Sequence, residues 1–189
     1  MIVIKNFPHT CFNVIMTIDD LVETQTSLIL GMSVQIYSVG MYSNSTSLEE
    51  IENLSRSSDK EKALETLRSS VKSISPTAFL LKMNFKVGAQ KMASAIAESV
   101  APRHTGDSSE VENLKQLIFD GISEKGAATK GTTFQFDCSD DKISVSVDGV
   151  SRGSVESSEL SKAFCDVYLD GNCVSSALRE SCLENCCKP

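Results

Sequence analysis

Two alternating runs constrain this chain most: T-T-F-Q-F-D at residues 132–137 and K-I-S-V-S-V at residues 142–147. Successive side chains of a strand point to opposite faces. Each run therefore has one apolar face, carrying Phe134 and Phe136 in the first and Ile143, Val145 and Val147 in the second. Ser139-Asp140-Asp141 separates them, which predicts a hairpin. Asp148-Gly149 then gives a strong turn signal, with a return strand through Val155. A sheet with one apolar face has to bury it against another layer. The question is what the rest of the chain supplies for that layer.

It supplies helices. Residues 58–73 carry Ala63, Leu64 and Leu67 on one stripe, with charges around the remainder. Pro76 stops that helix. Residues 78–86 read as a half-buried strand, with Leu81, Met83 and Phe85 on one face and Lys82, Asn84 and Lys86 on the other. Val87-Gly88 is a turn. Residues 89–101 form a helix with Met92, Ile96 and Val100 at spacing four, ended by Pro102. Ser108 or Ser109 caps a further helix, which runs to about Gly121. Residues 157–169 carry Leu160, Phe164 and Val167 on one face, and residues 175–187 form a last helix. Upstream, residues 28–42 read as a strand and S-L-E-E at 47–50 as a helix start. Hairpins beside helices predict an α+β domain with a largely antiparallel sheet.

The length of 189 residues suits one domain. We assign residues 28–189 to it and leave residues 1–27 as a poorly defined N-terminal segment, with no signal or transit peptide assigned. The formal net charge of −7 argues against partners that need neutralised phosphates, namely nucleic acid and anionic membrane surfaces. No apolar run is long enough to span a bilayer. The 7 cysteines are odd in number, which suits reduced thiols and an intracellular setting. Cys182, Cys186 and Cys187 lack the spacing of a zinc site, and no metal or cofactor is assigned. His104, just after a helix, reads as a partner of that helix's C-terminal dipole.

The stretch V-Q-I-Y-S-V-G-M-Y at 34–42 raises the sharpest local question. Tyr37 and Tyr42 are five apart, so an unbroken strand points them in opposite directions. Tyr37 is either a ligand-facing phenol or a core tyrosine with a satisfied hydroxyl.

Three blocks in order resemble the chalcone isomerase-like family. They are V-Q-I-Y-S-V-G-M-Y, then F-L-L-K-M-N-F-K-V-G-A-Q-K-M-A-S-A-I-A-E-S-V-A-P-R at 79–103, then the hairpin with D-G, G-S-V-E-S, D-V-Y-L and V-S-S-A-L-R-E-S. The resemblance covers roughly residues 28 to 187. It implies an open-faced β-sandwich: a large antiparallel sheet with a layer of helices, and a ligand cleft between the layers. The family includes isomerases that cyclise chalcones without a cofactor, plastid proteins that bind fatty acids without catalysis, and non-catalytic helpers of flavonoid synthesis.

Carried over residue by residue, the resemblance places the family's Arg on Gln25. That Arg serves isomerase catalysis and grips the carboxylate in the fatty-acid binders. The segment L-V-E-T-Q-T-S offers no cation near it. The Tyr, Lys and Asn of the isomerase cleft helix fall on Met92, Ala95 and Ser99, and a further hydroxyl position falls on Lys162. Tyr37 stands where isomerases have Thr, as in the fatty-acid binders. These departures argue against chalcone cyclisation and assign no catalytic residue. The expected function is non-catalytic binding of a fatty acid or similar amphipathic small molecule, with Tyr37, Gln25, Met83, Phe85, Met92, Ile96 and Ser99 as the ligand-binding set. An intramolecular lyase, and a member whose cleft is filled by its own side chains, are the alternatives. A lost charge-assisted hydrogen bond costs about 1.5–3 kcal/mol, about tenfold or more in affinity. Lys82, Lys86 and Lys91 are the candidate substitute cations, on positions expected to face solvent. The resemblance alone suggests a plastid.

Overall fold

The computed structural model describes residues 11–15, 36–43, 60–73 and 76–186. Gln25, Cys187, the strand expected before residue 36 and the helix start at 47–50 lie outside them. The strands are β1 (Cys11–Ile15), β2 (Tyr37–Tyr42), β3 (Thr77–Met83), β4 (Val87–Gly88), β5 (Ala127–Ala128), β6 (Thr133–Cys138), β7 (Ile143–Val147) and β8 (Val150–Val155). The helices are α1 (Lys60–Ser73), α2 (Ala89–Val100), α3 (Ser108–Ser123), α4 (Ser158–Leu169) and α5 (Ser176–Cys186). Six strands form one antiparallel sheet in the order β1-β2-β3-β6-β7-β8, and β4 pairs with β5 in a small separate ladder. β1 comes from the segment whose sequence signals are weakest, and it pairs with β2 from Ile15 opposite Ser38 to Cys11 opposite Tyr42.

The alternation of the hairpin strands becomes the two faces of this sheet. Val39 and Met41 of β2, Phe79, Leu81 and Met83 of β3, Phe134 and Phe136 of β6, and Ile143, Val145 and Val147 of β7 are all buried on the helix side. The opposite face carries Ser38, Lys82, Gln135, Asp137, Ser144 and Ser146, which are half-buried or exposed. This one-sided covering is the α+β arrangement expected from the pattern and the open-faced sandwich that the resemblance implies. Fully burying one large apolar side chain contributes about 1.5–3 kcal/mol, so the apolar stripe on the helix side dominates the stability of the sheet.

The turn at Asp148-Gly149 takes φ values of 52° and 77°, as a two-residue hairpin turn with both central residues left-handed requires. The Asp148 carboxylate fixes it from both sides. Oδ1 accepts from the Thr133 amide at 2.9 Å and Oδ2 from Lys125 Nζ at 2.8 Å. β8 then forms the outer strand, bulged against β7 at Val145/Ser146, with all but Val155 exposed. Gly153 there sits at φ 129°, and a Cβ on it would come within 3.0 Å of Leu117 on α3.

Helix α2 matches its predicted face: Ala89, Met92, Ala93, Ile96, Ala97 and Val100 are buried. The cap of α3 is Asp107, not Ser108 or Ser109. Its carboxylate accepts from the Ser109 amide at 2.8 Å, and a carboxylate at a helix N-terminus is also favoured by the macrodipole. Ser157 caps α4 by accepting from the Leu160 amide at 3.1 Å. On α4, Leu160, Phe164 and Tyr168 recur every fourth residue and lie on the sheet. Tyr168 stacks on Phe79 with ring centroids 5.0 Å apart, and Phe164 meets Phe79 edge-on at 5.7 Å. Such ring pairs add about 0.5–1.5 kcal/mol beyond area burial, enough to set the rotation of α4 on the sheet.

Two ion-pair clamps tie helices together. Arg68 and Lys72 of α1 reach Asp166 of α4 at 2.6 Å and 2.8 Å. Arg103, just after α2, reaches Asp170 just after α4 at 2.7 Å. Among the described residues no helix is long and apolar enough to cross a membrane.

Candidate functional site

Between the start of β2, helix α2 and the end of α4 lies a cavity of about 330 Å³. Its walls follow from local structure. β3 stops at Met83 because the next two amides, of Asn84 and Phe85, both donate to the Ile36 carbonyl, at 2.8 Å and 3.3 Å. The chain then leaves the sheet, so Phe85, Lys86, Val87 and Gly88 form the rim. α2 presents Lys91, Met92, Ala95, Ile96 and Ser99, one turn after another. Past α4 the chain folds back, with the Val174 amide donating to the Val167 carbonyl at 2.8 Å, which brings Val174 to the wall. Ile36, Tyr37 and Tyr168 complete it.

The lining is chiefly apolar, and its inner polar groups are already engaged. Tyr37 and Tyr168 are both 3% exposed, and the two phenols lie within electrostatic reach of each other. Burial pushes the Tyr168 phenol well above its usual range, and the charge and hydrogen bond of Tyr37 add to it. The Tyr168 phenol is therefore neutral at physiological pH and serves as a dipole rather than as a base. Ser99 donates its hydroxyl hydrogen to the Ile96 carbonyl at 2.7 Å within its own helix. Lys86 and Lys91 are the charged lining residues, and both side chains reach solvent at the rim.

Of the ligand-binding set expected from sequence, Tyr37, Phe85, Met92, Ile96 and Ser99 are brought together around this cavity. Met83 is fully buried opposite Tyr37 in the β2–β3 ladder and stays in the core behind the wall. Phe85 does not share the buried face of Met83. It is 51% exposed, because the strand has already ended. Gln25 lies outside the described residues. Residues 6–55 contain neither Lys nor Arg, so no basic side chain from that stretch can stand in at the Gln25 position.

Sequence reasoning missed Tyr168, Val174, Ile36 and Ala95 as wall residues. For Tyr168 the signal was present: the Leu160–Phe164–Tyr168 spacing puts its phenol on the sheet side of α4. His104 lies away from the cavity lining. Its Nε2 is 3.0 Å from Glu110 Oε2 and 3.1 Å from the Asp107 carbonyl, so its partner is the start of α3 rather than the end of α2. Cys182 is buried, and the side chains of Cys186 and Cys187 lie outside the described residues. Among the described residues no group of His, Cys, Asp and Glu has the arrangement of a metal site.

A large antiparallel sheet, one helical layer and a cavity between the two at the start of β2 define the chalcone isomerase-like fold, which is the fold of this chain. Among solved structures, the chain is similar to a fatty-acid binding protein of Arabidopsis thaliana, AtFAP1, with a TM-score of 0.67 and 16% identity over 93% of this chain and 86% of that one. No family model and no curated protein matches the sequence.

Proposed function

We propose that this is a non-catalytic chalcone isomerase-like protein that holds a fatty acid or a similar amphipathic small molecule between its sheet and helix α2. The observation that carries the reading is the open, chiefly apolar cavity of about 330 Å³ beside Tyr37. Ligand pockets commonly span about 300–1,000 Å³, and this one sits at the size of a single slender tail. The open space also favours ligand binding over a cleft filled by its own side chains. The lack of a guanidinium anywhere in residues 6–55 weighs against phenolate cyclisation. The likeness to a fatty-acid binding protein supports the same direction. We carry the plastid setting as part of the proposal, from the family resemblance, and imaging of a full-length fusion tests it.

Native mass spectrometry of the purified protein, with thermal unfolding in the presence of dodecanoate to octadecanoate, tests the binding. An acyl-sized mass adduct and a rise in Tm that grows with ligand concentration are expected. Absence of both would overturn the reading. Loss of chalcone absorbance well above the spontaneous rate would replace it with the intramolecular lyase.

A further inference from the structure

The direction in which a ligand lies in the cavity follows from where its charges are. We propose that the site selects a single-tailed anionic amphiphile, with its charged head at the mouth between Lys86 and Lys91 and its tail toward the Tyr37–Tyr168 pair. This rests on the ligand-binding reading above and adds the sign, place and orientation of the head group.

Three observations carry it. First, among the described residues Lys86 and Lys91 are the only charged side chains in the lining, and both stand at the rim. Among the described residues neither has an ion-pair or hydrogen-bond partner, whereas Lys72, Lys115, Lys125 and Lys162 each face a carboxylate. Two uncompensated ammonium groups beside an apolar opening, in a chain of net charge −7, form a local positive site. Second, among the described residues the inner end of the cavity offers no charge to meet an anion. It is closed by the two neighbouring phenols of Tyr37 and Tyr168, and the Ser99 hydroxyl is committed to its own helix. An ion buried there without a counter-charge would pay the full desolvation penalty. Third, α2 begins at the same rim. Gly88 gives it no side-chain cap, its first turn holds no acidic residue, and the helix dipole there has the same sign as the two lysines.

The tail is thus directed inward and the head outward, into water. A head held outside the cavity need not be small. Carboxylate, sulfate and phosphate heads on a straight tail share the required chemistry, whereas a neutral head gains nothing from the rim.

Affinities for dodecanoate, dodecyl sulfate and dodecanol, below their micelle or solubility limits and at low and high salt, test this in the wild type and in a Lys86→Gln/Lys91→Gln variant. Both lysines are exposed and unpaired, so the variant keeps its fold. The two anions are expected to bind roughly tenfold tighter than dodecanol at low salt, from two exposed ion pairs. That advantage should shrink in high salt and disappear in the variant, while dodecanol binding stays unchanged. Equal affinity for dodecanoate and dodecanol in the wild type, or full dodecanoate affinity in the variant, overturns the head-out orientation and leaves the cavity reading standing. Failure of all three compounds to bind the wild type overturns the cavity reading itself, and this inference with it.

Discussion

Arg103 holds Asp170 by a two-pronged contact, Nε to Oδ2 at 2.7 Å and Nη2 to Oδ1 at 3.0 Å. The same guanidinium donates to the Ser99 carbonyl at 2.7 Å and to the Asn172 carbonyl. It therefore fastens the last turn of α2 to the loop that carries Val174, on opposite sides of the cavity. Replacement by Lys keeps the charge and loses the fork. Arg103→Lys should lower unfolding free energy by about 1.5–3 kcal/mol in urea titrations, and Arg103→Ala by at least as much. Dodecanoate affinity should fall with it, since one wall is no longer fixed to the other.

Ala95 faces the cavity from the middle of α2 and is only half-buried, so a larger side chain there has room to turn inward. Ala95→Trp should cost the protein little or no stability while reducing affinity for any tailed ligand by more than about tenfold, the equivalent of roughly 1.4 kcal/mol. Calorimetric titration beside a thermal melt separates the two effects. Undiminished binding in a folded Ala95→Trp protein would show that ligands bind somewhere else.

At alkaline pH two buried groups set the limit of stability. Burial pushes the Cys138 thiol well above its usual value, and the Cys165 thiol beside it adds to the shift. The Tyr168 phenol is raised likewise, by burial first and by Tyr37 second. A raised folded-state value means that the unfolded chain loses its proton first. The stability these groups provide is complete below their unfolded values, about 8.5 and 10, and drains away as pH rises through the folded ones. Denaturation midpoints should therefore fall from about pH 9 upward, and a Cys138→Ala protein should show a shallower fall between about pH 9 and 10. An unchanged slope in that variant would exclude Cys138 as a source.

Acid acts through Asp166. Burial pushes its carboxyl up, but the hydrogen bonds and charges of Arg68 and Lys72 outweigh burial and hold it below the usual carboxylate value. The stability this gives is complete above the unfolded value of about 3.9 and is lost as pH falls through the lower folded value. Arg68 and Lys72 are 31% and 26% exposed and can rehydrate, so Asp166→Asn should cost about 1.5 kcal/mol at neutral pH, the low end for charged hydrogen bonds. The wild type should approach the variant's stability as the solution is acidified below about pH 4. Urea midpoints at neutral and acid pH measure both quantities.

What the sequence made legible was whatever depends on near neighbours. Asp148-Gly149 names its own turn, the Phe134–Phe136 and Ile143–Val147 alternations name their own face, and Met92–Ile96–Val100 names the inner side of α2. Where a contact from far along the chain decides the outcome, local period misleads. Phe85 continues the alternation of Leu81 and Met83, yet it is exposed because the chain leaves the ladder after Asn84, with the Phe85 amide sharing the Ile36 carbonyl that Asn84 already uses. β1 carries weak local signals because its strand form is fixed by β2. The cavity was half visible: Tyr37, Met92, Ile96 and Ser99 came from the family resemblance, while Tyr168 and Val174 reach it through the packing of α4 and the loop behind it. Lys86 and Lys91 were legible as solvent-facing lysines, but their shared position on the rim requires Val87-Gly88, read from sequence as a turn, to form a short strand paired with Ala127-Ala128.

β8 has a bearing on how copies of this protein meet. An outer strand with free backbone groups is a template for pairing with a neighbour's strand. Here the template is spoiled three ways. A bulge twists it at Val145/Ser146, Arg152 places a charge on it, and Gly153 holds a left-handed backbone against Leu117. Fibrillar self-association along this edge is thus opposed by the shape of one strand.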